Sequence, residues 1–273
     1  MKLTSVQRLK SSYFLKDLLR HSKNTIGQLI TAGLNDLMPP HCLSCHKEIL
    51  QPQSICEDCW PQLSFLTQPI CHCCGYPFEN NIGISNQSYC AACHAKRPHF
   101  HMARAAVTYN DLSRDLLLKF KHGDQQHIAP LFTRWLNMAA LHFPEDIDVD
   151  YVIPIPLHRK RLIKRRFNQA ALLAKRYAKQ NDLIYIPNLL QRIKPTKPQG
   201  HLSLKARRRN LQGAFSVPQT FHKKLENRTI LIIDDVYTTG STVEEAAKIL
   251  RKNGAKDVYI LSVARVIRPQ KVD

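Results

Sequence analysis

Eight of this chain's nine cysteines fall into four CxxC pairs: Cys42/Cys45, Cys56/Cys59, Cys71/Cys74 and Cys90/Cys93. Ten residues separate the first two pairs and fifteen separate the last two. A CxxC turns both its sulfurs toward one tetrahedral ion, and two such knuckles complete a four-cysteine zinc site. Two zinc ribbons in series is the direct expectation. Cys73 is left over beside Cys74 and is able to substitute for it. His41, His46, His72 and His94 adjoin the clusters and can replace a thiolate, so the spacing fits one ion or two. A disulfide framework is disfavoured, because no secretory signal is visible and cytosolic thiols stay reduced. Ribbons of this kind are structural: the metal supplies folding energy to a segment whose own core is small.

Around this module the chain changes character. In residues 1–37, Leu9, Phe14, Leu15, Leu18 and Leu19 recur at helical spacing, and so do Ile26, Leu29, Ile30, Leu34 and Leu37. Two amphipathic helices are expected there, closed by Pro39-Pro40. Residues 38–98 form the cysteine module and 99–273 a larger domain. No apolar run is long enough to span a bilayer, so stable membrane insertion is not expected and the compartment is read as the cytoplasm.

In the larger domain strands and helices alternate. Strands are expected at 104–109, YVIPIP, LIYIP, GAFSV, TILII and VYILSVA, and helices at 111–120, 128–142, 168–180 and 241–252. Asn168 suits the cap of the third helix. Such alternation predicts an α/β fold, a parallel sheet with helices on both faces. After YVIPIP a turn is read at Leu157, His158 and Arg159, with no element assigned to the rest of the basic stretch, and residues 192–212 read as a mobile loop.

Charge is concentrated as well. The chain carries 40 Lys+Arg against 21 Asp+Glu, a net charge of +19. Sixteen of those cations lie in residues 151–210 with a single acid, Asp182. So lopsided a block implies a polyanionic partner, either a phosphorylated metabolite or nucleic acid.

The stretch ILIIDDVYTTGST, Ile230–Thr242, narrows that choice. It reads as a buried strand ending at Ile233, then Asp234 and Asp235, a turn over Val236–Gly240, and a helix from Ser241 with Glu244 and Glu245 in its first turn. Free amides and hydroxyls at a helix N-terminus suit a phosphate, and Gly240 lets the backbone approach it. Two carboxylates would repel that phosphate. They suit the hydroxyls of a ribose. The expected ligand is therefore a 5-phosphorylated sugar, with the acids on the sugar and Thr238, Thr239, Ser241 and Thr242 around its phosphate.

This stretch resembles the phosphoribosyl pyrophosphate (PRPP) loop of type I phosphoribosyltransferases, departing from it at Tyr237, where an aliphatic residue is commoner. PIPLHRKRLIKRRFNQA resembles the signature of the ComF family, which usually has Gly where Arg166 stands. The segment Arg192, Thr196, Gln199, Leu202, Arg207, Arg208, Asn210 to Gly213-Ala214-Phe215 is similar to the same family. So are the Pro-Pro-x-Cys-x-x-Cys ribbon and the Tyr109…Lys119-Phe120-Lys121 block.

The resemblance implies a type I phosphoribosyltransferase-like fold and a link to natural transformation, the uptake and handling of single-stranded DNA. It implies PRPP binding with Mg²⁺, with Asp234 and Asp235 catalytic. Val236 to Thr242 would bind the ribose phosphate. Leu157, His158, Arg159 and Arg161 would face the pyrophosphate, with Lys164 and Arg165 nearby and Arg207, Arg208 and Arg209 as loop candidates. The implied partners are single-stranded DNA and other competence proteins such as a ComF-type helicase. Three functional readings follow: transfer of phosphoribosyl to an acceptor, a basic DNA-binding adaptor, and a PRPP sensor without turnover. Asp234 and Asp235 separate the first and third from the second, since acids oppose DNA binding.

Overall fold

The computed structural model describes residues 39–78, 85, 87–122, 125–195 and 204–267. The expected N-terminal helices lie outside these. After the cysteine-rich segment and a one-turn helix α1 (Ala91–Ala95), the chain forms β1 (Met102–Thr108), α2 (Asp111–His122), α3 (Ala129–Ala140), β2 (Tyr151–Pro154), α4 (Arg159–Arg165), α5 (Gln169–Gln180) and β3 (Ile184–Tyr185). It continues through β4 (Gln191–Arg192), α6 (Leu204–Leu211), β5 (Phe215–Ser216), α7 (His222–Leu225), β6 (Thr229–Tyr237), α8 (Ser241–Lys252) and β7 (Asp257–Arg265).

Five strands make one parallel sheet in the order β1-β7-β6-β2-β3, and β4 and β5 form a small antiparallel pair. The central strands β6 and β7 are near-continuous apolar runs, as strands covered on both faces must be. One face is buried by α3 and α5, which contribute Trp135, Leu136, Leu173 and Tyr177 to a core shared with Leu231 and Ile233. The other is buried by α8, through Val243, Ala246 and Leu250 against Ile230 and Ile232. α8 runs over the span read from sequence, because its apolar residues recur at helical spacing and Gly254 follows its end.

The two halves of the cysteine module lie on opposite faces. Cys42, Cys56 and Cys59 join the α3/α5 core, whereas Cys71, Cys73, Cys74, Cys90 and Cys93 join the α8 core. The linker between the halves crosses the outer edge of β1: Leu66 N–H donates to Ala106 and Thr108 N–H to Ser64. Lys119 Nζ donates to the Ser44 carbonyl at 2.9 Å, and Arg134 to that of Gln53, tying the first half to α2 and α3.

Three expectations are corrected. The turn read at Leu157, His158 and Arg159 is shorter than expected, because Arg159 already opens a helix. That Arg159–Arg165 helix has His158 as cap through Nδ1, which accepts from Lys160 N–H at 3.3 Å. Residues 192–212 are not one loop. Arg192 lies in β4 and Leu204–Leu211 is a helix; residues 196–203 lie outside the described set. The apolar strand does not end at Ile233. β6 runs to Tyr237, because β7 keeps pairing with it as far as Tyr237↔Arg265.

Candidate functional site

The overrun of β6 creates the site. Its neighbour β2 stops pairing at Pro154↔Ile233, so the strand edge is open where Asp234 and Asp235 begin. Ligands of parallel sheets collect at such carboxyl-end crevices. The chain bends here too. Ile230 and Ile232 face one core and Leu231 and Ile233 the other, yet Val236 lies with the second set and Tyr237 with the first. The Asp235 N–H is turned onto the Asp234 carboxylate at 2.9 Å, which marks the change of phase.

Both acids are partly buried, and their environments differ. Burial, then the neighbouring Asp235 charge, pushes the Asp234 carboxyl well above its usual range. Burial also works to raise Asp235, but the Lys121 ammonium at 2.7 Å, with Arg165 beyond it, holds that carboxylate below its usual range. Burial and the neighbouring charge thus oppose ionisation of Asp234, while the Lys121 ammonium favours the charge on Asp235. Lys121 comes from the end of α2. Its carbonyl accepts from Gln169 Nε2 at 3.3 Å, which fixes that end of α2 against the start of α5.

The phosphate side is the turn Thr238–Gly240 and the first turn of α8. Gly240 has φ of +75° and provides no capping side chain. A Cβ there would lie 2.8 Å from Cζ of Tyr237, so the position requires glycine for space as well as for torsion. Thr239 Oγ1 and Ser241 Oγ lie 2.9 Å apart. Glu244 faces away from the turn and is held by His99, whose backbone N–H donates to it at 2.9 Å and whose Nδ1 lies 2.6 Å from it. The resulting geometry is an amide-lined helix N-terminus, 12 residues long behind it, beside a carboxylate pair.

Cations surround the acids. Arg161 on α4 is half-buried, and burial, then Arg165, lowers its pKa. Arg192 on β4 is pushed down to about 10 by burial and by Arg161, while Asp234 acts in the opposite direction. Leu157 and His158 follow the end of β2, and Asn168, the cap of α5, donates from Nδ2 to the Ile155 carbonyl at 3.0 Å. Arg159 and Arg209 are exposed, and the side chains of Lys164, Arg207 and Arg208 lie outside the described set. Tyr237 is placed differently from its neighbours. It is buried beneath the turn and packs on Arg265 instead of facing the crevice. Lys121 and Arg192 are the site residues that sequence reasoning passed over except as marks of resemblance.

The cysteines form two clusters, Cys42/Cys45/Cys56/Cys59 and Cys71/Cys74/Cys90/Cys93, with all four sulfurs of each within 4.8 Å of one another. Cys45 and Cys56 sulfurs are 3.5 Å apart, and those of Cys74 and Cys90 are 3.6 Å apart. Zinc–sulfur bonds in a tetrahedron place sulfurs about 3.8 Å apart, so both clusters fit the ion. Backbone amides of Ser44 and Cys56 donate to the Cys42 sulfur, and that of Cys90 to Cys71, as knuckle thiolates require. Cys73 is buried beside the second cluster but is not one of its four ligands, and no adjacent histidine enters either.

A double zinc ribbon domain matches residues 33–94, and a phosphoribosyl transferase domain matches residues 191–273. Fold and matches together define a phosphoribosyltransferase-like α/β protein carrying two zinc ribbons. Competence protein F of Haemophilus influenzae is 30% identical over 233 residues, spanning 82% of this chain and 96% of its own. Competence protein ComFC of Bacillus subtilis is 30% identical over 76% of this chain and 82% of its own. The DNA utilization protein YhgH of Escherichia coli K12 is 27% identical over 84% of this chain and 99% of its own. The chain belongs to the ComF family of competence proteins. Among solved structures, the allosteric regulatory enzyme of purine biosynthesis overlays 53% of this chain and 29% of its own at TM-score 0.36 and 15% identity, a likeness too loose to carry an argument. Among the described residues no helix is long and apolar enough to cross a membrane.

Proposed function

We propose that the protein binds PRPP with Mg²⁺ and transfers its phosphoribosyl group to an acceptor, in the cytoplasmic handling of incoming DNA. The observation that carries this reading is the placement of Asp234 and Asp235 on an open strand edge, shortly before the N-terminus of α8, where Gly240 provides no capping side chain. The α8 amides with Thr239 and Ser241 take the 5-phosphate. The two carboxylates take the ribose hydroxyls. Arg161, Arg165, Arg192 and Lys121 face the pyrophosphate as it leaves. Carboxylate oxygens are also the ligands that Mg²⁺ prefers, and when bound the ion neutralises charge developing on the leaving group. The chain's own residues position the sugar and stabilise the departing pyrophosphate, the largest usual contribution to such a displacement.

Calorimetric titration of PRPP and Mg²⁺ into the folded, zinc-loaded protein tests this, with Asp234→Asn/Asp235→Asn alongside. Micromolar binding that the double variant loses supports the reading. Absence of binding to the native protein removes it.

A second reading rests on a separate observation. Arg159, Lys160, Arg166 and Arg209 are exposed, and so are Leu162 and Ile163 between the cations of α4. This surface suits a single-stranded DNA backbone, with affinity that falls steeply with salt. It is compatible with the first reading, and Asp234→Asn/Asp235→Asn should leave it intact or strengthen it.

A further inference from the structure

One buried guanidinium touches both the second cysteine site and the turn before α8. Arg265, the last residue of β7, is 6% exposed. Its Nη1 donates to the Cys74 carbonyl at 2.6 Å, and its Nη2 donates to the Cys74 sulfur at 3.5 Å. The same group lies 4.3 Å from the centroid of the Tyr237 ring. The Tyr237 ring in turn fills the space where a Cβ of Gly240 would stand. The contact path is short: Cys74, Arg265, Tyr237, Gly240.

Charge gives that path a reason to respond to metal. Arg104, 4% exposed, sits beside the same site, with its donors on the carbonyls of Ala103, His72 and His142. Among the described residues neither arginine forms a salt bridge with a carboxylate. A buried cation needs a counter-charge. A zinc ion held by four thiolates carries about −2, which balances the two guanidiniums. Without the ion nothing ties down the Cys74 knuckle on which both guanidinium contacts of Arg265 rest. The first site has no such arrangement. Its nearby cation, Lys119, reaches the Ser44 carbonyl and is itself part-exposed, and Cys45 is exposed.

We propose that metal in the second ribbon, and not in the first, sets the conformation of the Thr238–Gly240 turn, with Arg265 and Tyr237 as positioning residues. Loss of that ion releases Arg265, removes the support under Tyr237 and loosens the turn. Linkage makes the effect reciprocal, so a ligand in the turn tightens binding of the second ion. The inference borrows the phosphoribosyl reading only to name that ligand.

The test uses the full zinc-loaded chain and Arg265→Met, with three readouts. These are chelator-driven zinc release followed with a metal dye, amide hydrogen exchange of the peptide covering Thr238–Thr242, and titration with PRPP and Mg²⁺. In Arg265→Met one of the two ions should leave roughly 10- to 100-fold faster, the turn should exchange faster, and ligand affinity should fall at least about fivefold. Tyr237→Leu keeps the Arg265–Cys74 contact, so its zinc release should stay native while exchange of its turn no longer responds to metal. Faster zinc release with an unchanged turn overturns the proposal, as does no change in either. So does a turn that still follows the metal in Tyr237→Leu. If Arg265→Met does not fold, Cys45→Ser, which keeps zinc only in the buried second cluster, is stripped with and without Tyr237→Leu and gives the same comparison. If the native protein does not bind PRPP, the phosphoribosyl reading fails alone, because zinc release and hydrogen exchange still decide the coupling.

Discussion

The ammonium of Lys121 lies 2.7 Å from a carboxylate oxygen of Asp235, joining the end of α2 to the open edge of β6. Their side chains are only 18% and 17% exposed. Lys121→Met should therefore destabilise the protein by about 2–3 kcal/mol at pH 7, below the figure for fully buried pairs because some water reaches both groups. The sign with pH follows from the depressed Asp235 pKa. The ion pair's contribution is full above the ordinary carboxylate pKa and is lost as pH falls through the folded value. Urea unfolding of both proteins from pH 7 down to pH 3 should show the gap between them closing in acid.

Asp234 has the opposite sign. Its folded pKa is raised by burial and by Asp235, so the native state holds a proton that the unfolded chain releases. Stability falls as pH rises from the ordinary carboxylate pKa through the folded one. Asp234→Asn should raise the melting temperature by a few degrees at neutral pH and leave it unchanged near pH 3. The same variant should lose PRPP binding, the usual exchange of stability for function at a working site. Thermal melts at the two pH values and one titration check both halves.

How much of this was legible depends on how far each feature reaches along the chain. The CxxC pairs announce themselves, because ligand spacing is a local demand of the metal. β6, α8 and the Asn168 cap are local too, written in apolar period and cap chemistry. The open edge beside Asp234 is not local. It exists because β2 stops at Pro154, and nothing in ILIIDDVY says where a neighbouring strand ends. Lys121 reaches Asp235 from another element, and Arg265 reaches Cys74 across 191 positions. α4 is hidden by its charge: RKRLIKR has too little apolar period to declare a helix until His158 is seen capping it.

Arg166 offers a stability test. It closes α4 with φ of +65°, the left-handed region where a side chain is strained. ComF sequences resembling this one usually place glycine there, and the torsion supplies the reason. The side chain is exposed, so little packing is lost on removing it. Arg166→Gly should stabilise the protein by about 1 kcal/mol, read as a higher urea midpoint with an unchanged slope.

The ribbons predict a count. Native mass spectrometry should find two zinc ions per chain, since each four-cysteine cluster closes on itself without Cys73. Cys73→Ser should keep both ions. Cys74→Ser should lose one, and Cys45→Ser the other. Because the clusters lie on opposite faces of the sheet, the two losses should also differ in consequence. Cys45→Ser should loosen the contact of the first ribbon with α2 and α3, where Lys119 and Arg134 hold it. Cys74→Ser should leave Arg104 and Arg265 without counter-charge and cost more stability.

Gly240 is the most demanding position in the turn. Alanine there meets two obstacles, the positive φ and the Tyr237 ring 2.8 Å away at Cζ. The torsion alone costs about 1–2 kcal/mol, and the overlap forces either the turn or the ring to shift. Gly240→Ala should therefore weaken PRPP binding at least about tenfold, since displaced α8 amides no longer converge on one phosphate. Combining it with Tyr237→Leu separates the causes. The smaller side chain removes the overlap and leaves the torsion, so the double variant should recover part of the lost affinity and part of the lost stability. Full recovery would assign the whole effect to the ring, and no recovery would assign it to the backbone. Titration and urea unfolding of the four proteins of this cycle, at one ionic strength, give the division directly.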